Sequence, residues 1–320
     1  MWTTPWSHRV YLAIMTCAFY IECCYALLWE FLESPGSWHK YTEVRPLSEA
    51  IYGQILLCVD NSTGDAVAIK RAKAVNCKFH RPVSKSLHHM VAVYEDIEME
   101  RVILRDLNHR HGGHPHILRL RDEFLANGCH NFVLEYCPQG DLMDMLLVQK
   151  RFPIDQTQRC FRQVASAVHF MHACGYAHRD LSFENVFVDG KGQCKLGDFG
   201  LAIGLDARPR HPAGKSSYAA PEVYMGKPYS PGHVDIWALG MLLFIMLTGE
   251  PMAEKAVVSN AKFQHLATHG VEYVIAANAT WHALVPPHCL TLLVQMLHLE
   301  PSKRLDIESV VAHPFVSTCA

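Results

Sequence analysis

The sequence predicts an α+β fold in two lobes, a small β-rich one followed by a larger helical one. Residues 51–70 alternate as two strands around the polar turn Asn61-Ser62-Thr63-Gly64-Asp65. Two further strand-like runs, 116–125 and 131–136, flank Asn127-Gly128, a hairpin dipeptide. After Gly140 the apolar spacing turns helical over 142–149, 155–174, 234–247 and 289–298. Strands gathered ahead of helices argue for separate layers, not for alternating βαβ units.

The first segment stands apart. From Val10 to Leu32 only Glu22 and Glu30 are charged, a run long enough to span a bilayer as a helix. Glu22 near its middle argues against spanning. The same run fits a helix packed on the main domain, so both readings stay open. Cys23-Cys24 are candidates for lipid attachment or for simple packing. Ser34-Pro35-Gly36-Ser37 breaks the helix and bounds a segment over 1–36. A compact domain begins near Tyr41. Residues 71–90 are basic and His-rich and read as a solvated loop, and 91–107 has helical apolar spacing.

Composition limits the function. The 320 residues are 50% hydrophobic, enough for a sizeable core. Lys plus Arg is 29 against 31 for Asp plus Glu, so no basic excess points to nucleic acid. The 21 histidines follow no repeated metal-site spacing. The 12 cysteines contain no C-x-x-C pair and read as reduced, buried thiols of a cytoplasmic protein.

Three motifs follow one another in the second half. They are His178-Arg179-Asp180-Leu181-Ser182-Phe183-Glu184-Asn185, Asp198-Phe199-Gly200 and Ala220-Pro221-Glu222. Val67-Ala68-Ile69-Lys70 lies upstream. Together they resemble the catalytic set of the eukaryotic protein kinases, and the Ser/Thr kinases of the calcium/calmodulin-dependent-kinase-like group are the most similar. The resemblance covers 41–316, with an N-lobe over about 41–136 and a C-lobe over about 138–316.

That resemblance implies transfer of the γ-phosphate of ATP to Ser or Thr hydroxyls of protein substrates, with ATP and Mg2+ as cofactors. Asp180 would orient the substrate hydroxyl, and Asn185 and Asp198 would hold magnesium through hard oxygen ligands. Lys70 would pair with the α- and β-phosphates. Glu95, Glu98 and Glu100 compete as its partner, and Glu100 fits the family spacing best. Ser48, Ala50 and Gly53 fall on the phosphate-covering loop. Leu134 falls at the back of the adenine pocket, Glu135 to Cys137 at the hinge, and Asp141 at the ribose. Ile55, Ala68 and Phe187 also match nucleotide-binding positions. Asp235 matches the residue bracing the catalytic loop, and Glu222 with Arg304 a structural ion pair. His178, Phe199, Leu104 and Leu120 match a hydrophobic column.

The chain departs from the family pattern in three places. Of the glycines in the phosphate loop only Gly53 remains, so weaker nucleotide binding is expected. Ser182 stands where Ser/Thr kinases carry Lys, and Lys215 where they carry Thr, which suggests an exchanged pair with Lys215 reaching back toward the γ-phosphate; the alternative is Lys215 in solvent and Ser182 as a tolerated loss. Residues 201–213 hold no Ser, Thr or Tyr, so Arg179 lacks a phosphorylated partner there. Asp206 is a candidate substitute, Arg208 and Arg210 compete for it, and Ser216 and Ser217 remain candidate phosphorylation sites. Activation without phosphorylation in that span is expected. Glu184 fits a kinase that selects basic substrates. The alternative is a pseudokinase scaffold, favoured by the altered loop and Ser182. Intact Lys70, Asp180, Asn185 and Asp198 favour catalysis.

Overall fold

The structure is a computed structural model that describes residues 38–50, 53–73 and 96–317. The run 10–32, Cys23-Cys24, most of the basic stretch (74–90) and Glu95 lie outside the described residues. The described chain forms two units, one from residues up to 73 together with 121–134, the other from 96–120 and 135 onward.

The first unit is built on a five-stranded sheet. Its strands are β1 (Tyr41–Ala50), β2 (Gly53–Asp60), β3 (Ala66–Lys73), β4 (Leu120–Ala126) and β5 (Cys129–Glu135), in the order β1-β2-β3-β5-β4. β2 pairs antiparallel with both β1 and β3. Period-2 alternation buries Leu56, Cys58, Val67 and Ile69, which pack with Tyr41 and Val133. The expected turn over 61–65 joins β2 to β3: Gly64 N donates to Asp60 O at 2.7 Å, and the Asp60 carboxylate accepts from Ser62. β1 had no clear alternation to read. Pro46 sits within it, and the pairing slips between Glu43 and Arg45 and again between Pro46 and Ser48. An edge strand tolerates this because a proline there removes no ladder bond on its open side.

The second unit is helical. Its leading helices are α1 (Ile97–Arg105), α2 (Leu142–Gln149), α3 (Ile154–Ala173) and α4 (Pro231–Thr248), and six further helices follow from Ala261 to Ser317 among the described residues. α4 begins three residues earlier than the apolar spacing indicated, because Pro231 occupies the first helical position, where a missing N–H costs nothing. It is apolar on all sides. By length and composition it would suit a membrane, yet 83% of it is buried in the protein, so it serves as the core helix. α1 runs into a wide turn, Asp106–Arg110. Asn108 closes that turn, donating to Leu104 O at 2.9 Å and accepting from Leu120 N at 3.2 Å.

Four short strands complete the unit: β6 (Tyr176–Ala177), β7 (Val186–Val188), β8 (Cys194–Leu196) and β9 (Ile203–Gly204). β6 pairs with β9 and β7 with β8. The strand expected over 116–125 therefore needs correction. It starts only at Leu120, because residues 116–118 bond β8 instead: Leu196 N donates to His116 O and Leu118 N to Leu196 O, both at 2.8 Å.

His114 begins this stretch and is held neutral. Its ring stacks on Phe170 of α3 at 5.0 Å, its Nδ1 accepts from His116 N, and its Nε2 meets Ser166 Oγ at 3.2 Å. Burial pushes its pKa from 6.5 down to about 4. The unfolded chain then binds a proton that the folded one refuses, so stability is lost as pH falls from about 6.5 toward about 4. The expected result is a melting temperature that declines across that window, and declines less in His114→Gln, read by circular dichroism.

Candidate active site

The catalytic-loop motif leaves β6 and ends in a short 3-10 helix, Phe183–Asn185. Two non-glycine residues near it adopt left-handed backbone, Arg179 at φ 65° and Asp198 at φ 58°. Such conformations cost on the order of 1–3 kcal/mol each and persist only where surroundings fix them. For Arg179, Asp235 at the start of α4 supplies the fixing: its carboxylate accepts from His178 N and Arg179 N, both at 2.8 Å, and meets His172 Nε2 at 2.9 Å. His178 Nδ1 accepts from Asp180 N at 3.3 Å, which leaves Nε2–H to donate to Gly197 O at 3.0 Å. The His178 ring lies 5.5 Å from Phe199, and Leu104 and Leu120 are buried.

Asp180 is the centre of a cluster. Asn185 Nδ2 donates to Asp180 O at 2.7 Å and to its Oδ2 at 2.8 Å. Lys215 N donates to Oδ1 at 3.1 Å. Lys215 Nζ lies 3.5 Å from Oδ2 and 2.9 Å from Ser182 Oγ, and Ser182 is fully buried. The sequence left Lys215 between solvent and the loop, and the structure turns it onto the loop. Burial pushes the Asp180 carboxyl above the usual carboxylate range, aided by the charge of Asp198, while Lys215, His178 and the Asn185 bond pull it back.

Gly214 makes this approach feasible. Its φ is 81°, and a Cβ there would sit 2.6 Å from Arg179 O, so a side chain would push residues 214–215 off the loop.

Burial separates Glu100 from Glu98. It is 2% exposed on α1, whereas Glu98 is exposed and pairs with Arg101 one turn on. Asp96 caps the helix, its Oδ1 accepting from Met99 N at 3.0 Å, and its own N donates to Gly200 O at 3.2 Å. The helix bearing Glu100 is thereby tied to Asp198-Phe199-Gly200, a role for Asp96 that the sequence reading missed.

The remaining second-unit residues are drawn together by β7. Asp141 forms a bridge with Phe187, and Val188 N donates to Gly140 O at 2.8 Å. Asp141 caps α2 by accepting from Asp144 N at 2.9 Å, and burial pushes its carboxyl up. Glu135 accepts from Arg119 N at 2.8 Å and pairs with Lys195 at 3.2 Å. The Cys137 thiol is pushed up to about 12 by burial, so it is inert as a nucleophile.

In the first unit Lys70 lies on β3 opposite Ile55 of β2 and is 8% exposed. Ala68 lies opposite Leu57 and Gly53 opposite Ala72. Ser48 and Ala50 pair with Ile55 and Gly53 across β1 and β2, and Leu134 is buried on β5. A Cβ on Gly53 would come within 1.7 Å of Arg71 O, which explains why this glycine persists where the others are gone.

A sheet unit with a buried lysine and a helical unit with a loop-borne Asp–Asn–Lys cluster define a protein of the kinase class. The model of the Protein kinase domain matches residues 41–316. Maternal embryonic leucine zipper kinase of Xenopus tropicalis is 34% identical over 207 residues, 63% of this chain and 30% of that protein. NUAK family SNF1-like kinase 1 of Homo sapiens is 29% identical over 281 residues, 87% of this chain and 39% of that protein. CBL-interacting protein kinase 29 of Oryza sativa subsp. japonica is 32% identical over 221 residues, 68% of this chain and 46% of that protein. The chain thus spans 30% to 46% of the length of these relatives. It belongs to the protein kinase family. Members of that family use ATP and a divalent metal.

Proposed function

We propose that the chain transfers the γ-phosphate of ATP to Ser or Thr hydroxyls of protein substrates, with Mg2+ as its metal. The observation that carries this reading is the Asp180 carboxylate, held by Asn185 and by Lys215 in a match spanning 41–316. Asp180 accepts the proton of the incoming hydroxyl and aims it. Asn185 spends its amide N–H on Asp180 and keeps its carbonyl oxygen; with the Asp198 carboxylate it forms a hard oxygen donor set suited to magnesium shared with phosphates. When bound, the metal neutralises charge on the nucleotide phosphates. Lys70 and Glu100 take the α- and β-phosphate roles, in keeping with the burial of both charges. Ser48, Ala50 and Gly53 cover the phosphates. Ile55, Ala68, Leu134, Glu135, Cys137, Asp141 and Phe187 hold adenosine. Glu184 is the candidate for selecting a basic side chain on the substrate. The proposed setting is the cytoplasm, with residues 10–32 as the segment for any membrane attachment.

The test offers the purified chain ATP, Mg2+ and separate Ser, Thr and Tyr peptide pools. Phosphate enters the Ser and Thr pools; incorporation confined to Tyr would refute the assignment. In the same assay Lys215→Thr lowers kcat about a hundredfold, the scale of losing one preorganised donor at a developing charge. Ser182→Lys combined with Lys215→Thr recovers most of it. Unaltered turnover in Lys215→Thr would remove the ammonium from the mechanism.

A further inference from the structure

We propose that Tyr229 is a positioning residue whose hydroxyl clasps the 201–213 segment onto the catalytic loop, holding it in its working arrangement without a phosphate. Tyr229 lies between the Ala-Pro-Glu motif and α4 and is 5% exposed. Its hydroxyl donates to His211 O at 2.8 Å and accepts from Arg179 Nη2 at 3.1 Å. One hydroxyl carries one proton and two lone pairs, so both bonds form at once. Tyr229 N also donates to Pro209 O at 3.1 Å. Arg179 Nη1 meanwhile donates to Leu201 O at 3.3 Å. The two ends of the segment, Leu201 and 209–211, are therefore fastened to one pair of side chains.

The competing arrangement has other partners. Asp206 was a candidate to satisfy Arg179, yet the hydrogen bonds of Arg179 go to Leu201 and Tyr229. Arg208 turns onto the carbonyls of Leu205, Asp206 and Ala207, which shapes the middle of the segment locally. Residues 201–213 offer no hydroxyl to phosphorylate, so a phosphate could not replace the clasp from within.

Tyr229→Phe keeps the buried ring and removes only the hydroxyl. Limited trypsin digestion reads the segment directly, because Arg210-His211 is cleavable whereas Arg208 precedes Pro209 and resists. Cleavage after Arg210 is expected to be about tenfold faster in Tyr229→Phe, the scale of losing one charge-assisted bond. Arg179→Gln, which leaves Tyr229 packed, carries the same expectation, and the double variant is cleaved no faster than the faster single one. Equal rates in Tyr229→Phe and the unaltered chain would overturn the clasp. The second arm rests on the kinase reading: phosphatase-treated chain keeps its kcat, and Tyr229→Phe lowers kcat with KM for ATP unchanged. Loss of activity on phosphatase treatment would overturn independence from phosphate. Absence of transfer by the unaltered chain would instead defeat the kinase reading, with the cleavage rates still deciding the clasp.

Discussion

Asp180→Asn lowers kcat by about a thousandfold, within the range for loss of a positioned general base. Both carboxylate oxygens are engaged as acceptors, Oδ1 by Lys215 N and Oδ2 by Asn185 Nδ2 and Lys215 Nζ. An amide at this position turns one acceptor into a donor, which then faces another donor whichever way it is flipped. The proposed acceptor of the substrate proton is lost, and the grip on Lys215 loosens with it. Nucleotide binding depends on other residues, so KM for ATP changes little. Initial rates at saturating ATP measure this. A loss of less than about tenfold would mean that Asp180 is not the base.

Glu222→Ala destabilises the protein by about 3–5 kcal/mol, the scale of leaving one partner of a buried ion pair alone. Glu222 takes a two-pronged bond from Arg304, Nη1 to Oε1 at 2.6 Å and Nη2 to Oε2 at 2.8 Å. The Arg304 side chain has no solvent exposure, stacks over Trp237 at 4.9 Å and donates to the carbonyls of His298 and His233. Without Glu222 that guanidinium keeps its carbonyl partners but loses its counter-charge. Urea unfolding reads the effect as a lower midpoint at constant slope. Adding Arg304→Met removes the stranded charge and recovers part of the loss. A change under about 1 kcal/mol would show that the pair is effectively solvated.

Elements with a strong local signal were legible in the sequence. Helix 142–149 and the two hairpins follow from apolar spacing and from Asn-Gly or Gly-Asp turns, patterns that need no distant partner. β1 was hidden because Pro46 and alternating charges mask an edge strand whose pairing is set by β2. The strand over 116–125 was read too long because His116 and Leu118 bond β8, nearly 80 residues away, and no local pattern encodes that. The site divides the same way. Asp180, Asn185, Asp198 and Lys215 stood in motifs, so their residue types announced them. Tyr229 did not, since its meaning rests on Arg179, 50 positions distant in the chain and adjacent only after folding. Glu100 was one of three candidates by spacing, and burial alone separates it from Glu98.

As proposed, the chain moves the terminal phosphate of ATP onto a protein hydroxyl by way of the Asp180 cluster. The direct measurement incubates the purified chain and an acceptor peptide pool with ATP labelled either at the γ- or at the α-phosphate. The account predicts that γ-label appears as phosphoserine and phosphothreonine while α-label stays in the nucleotide, and that Asp180→Asn abolishes most of the signal. No transfer of γ-label from the unaltered chain, with nucleotide bound, would contradict it.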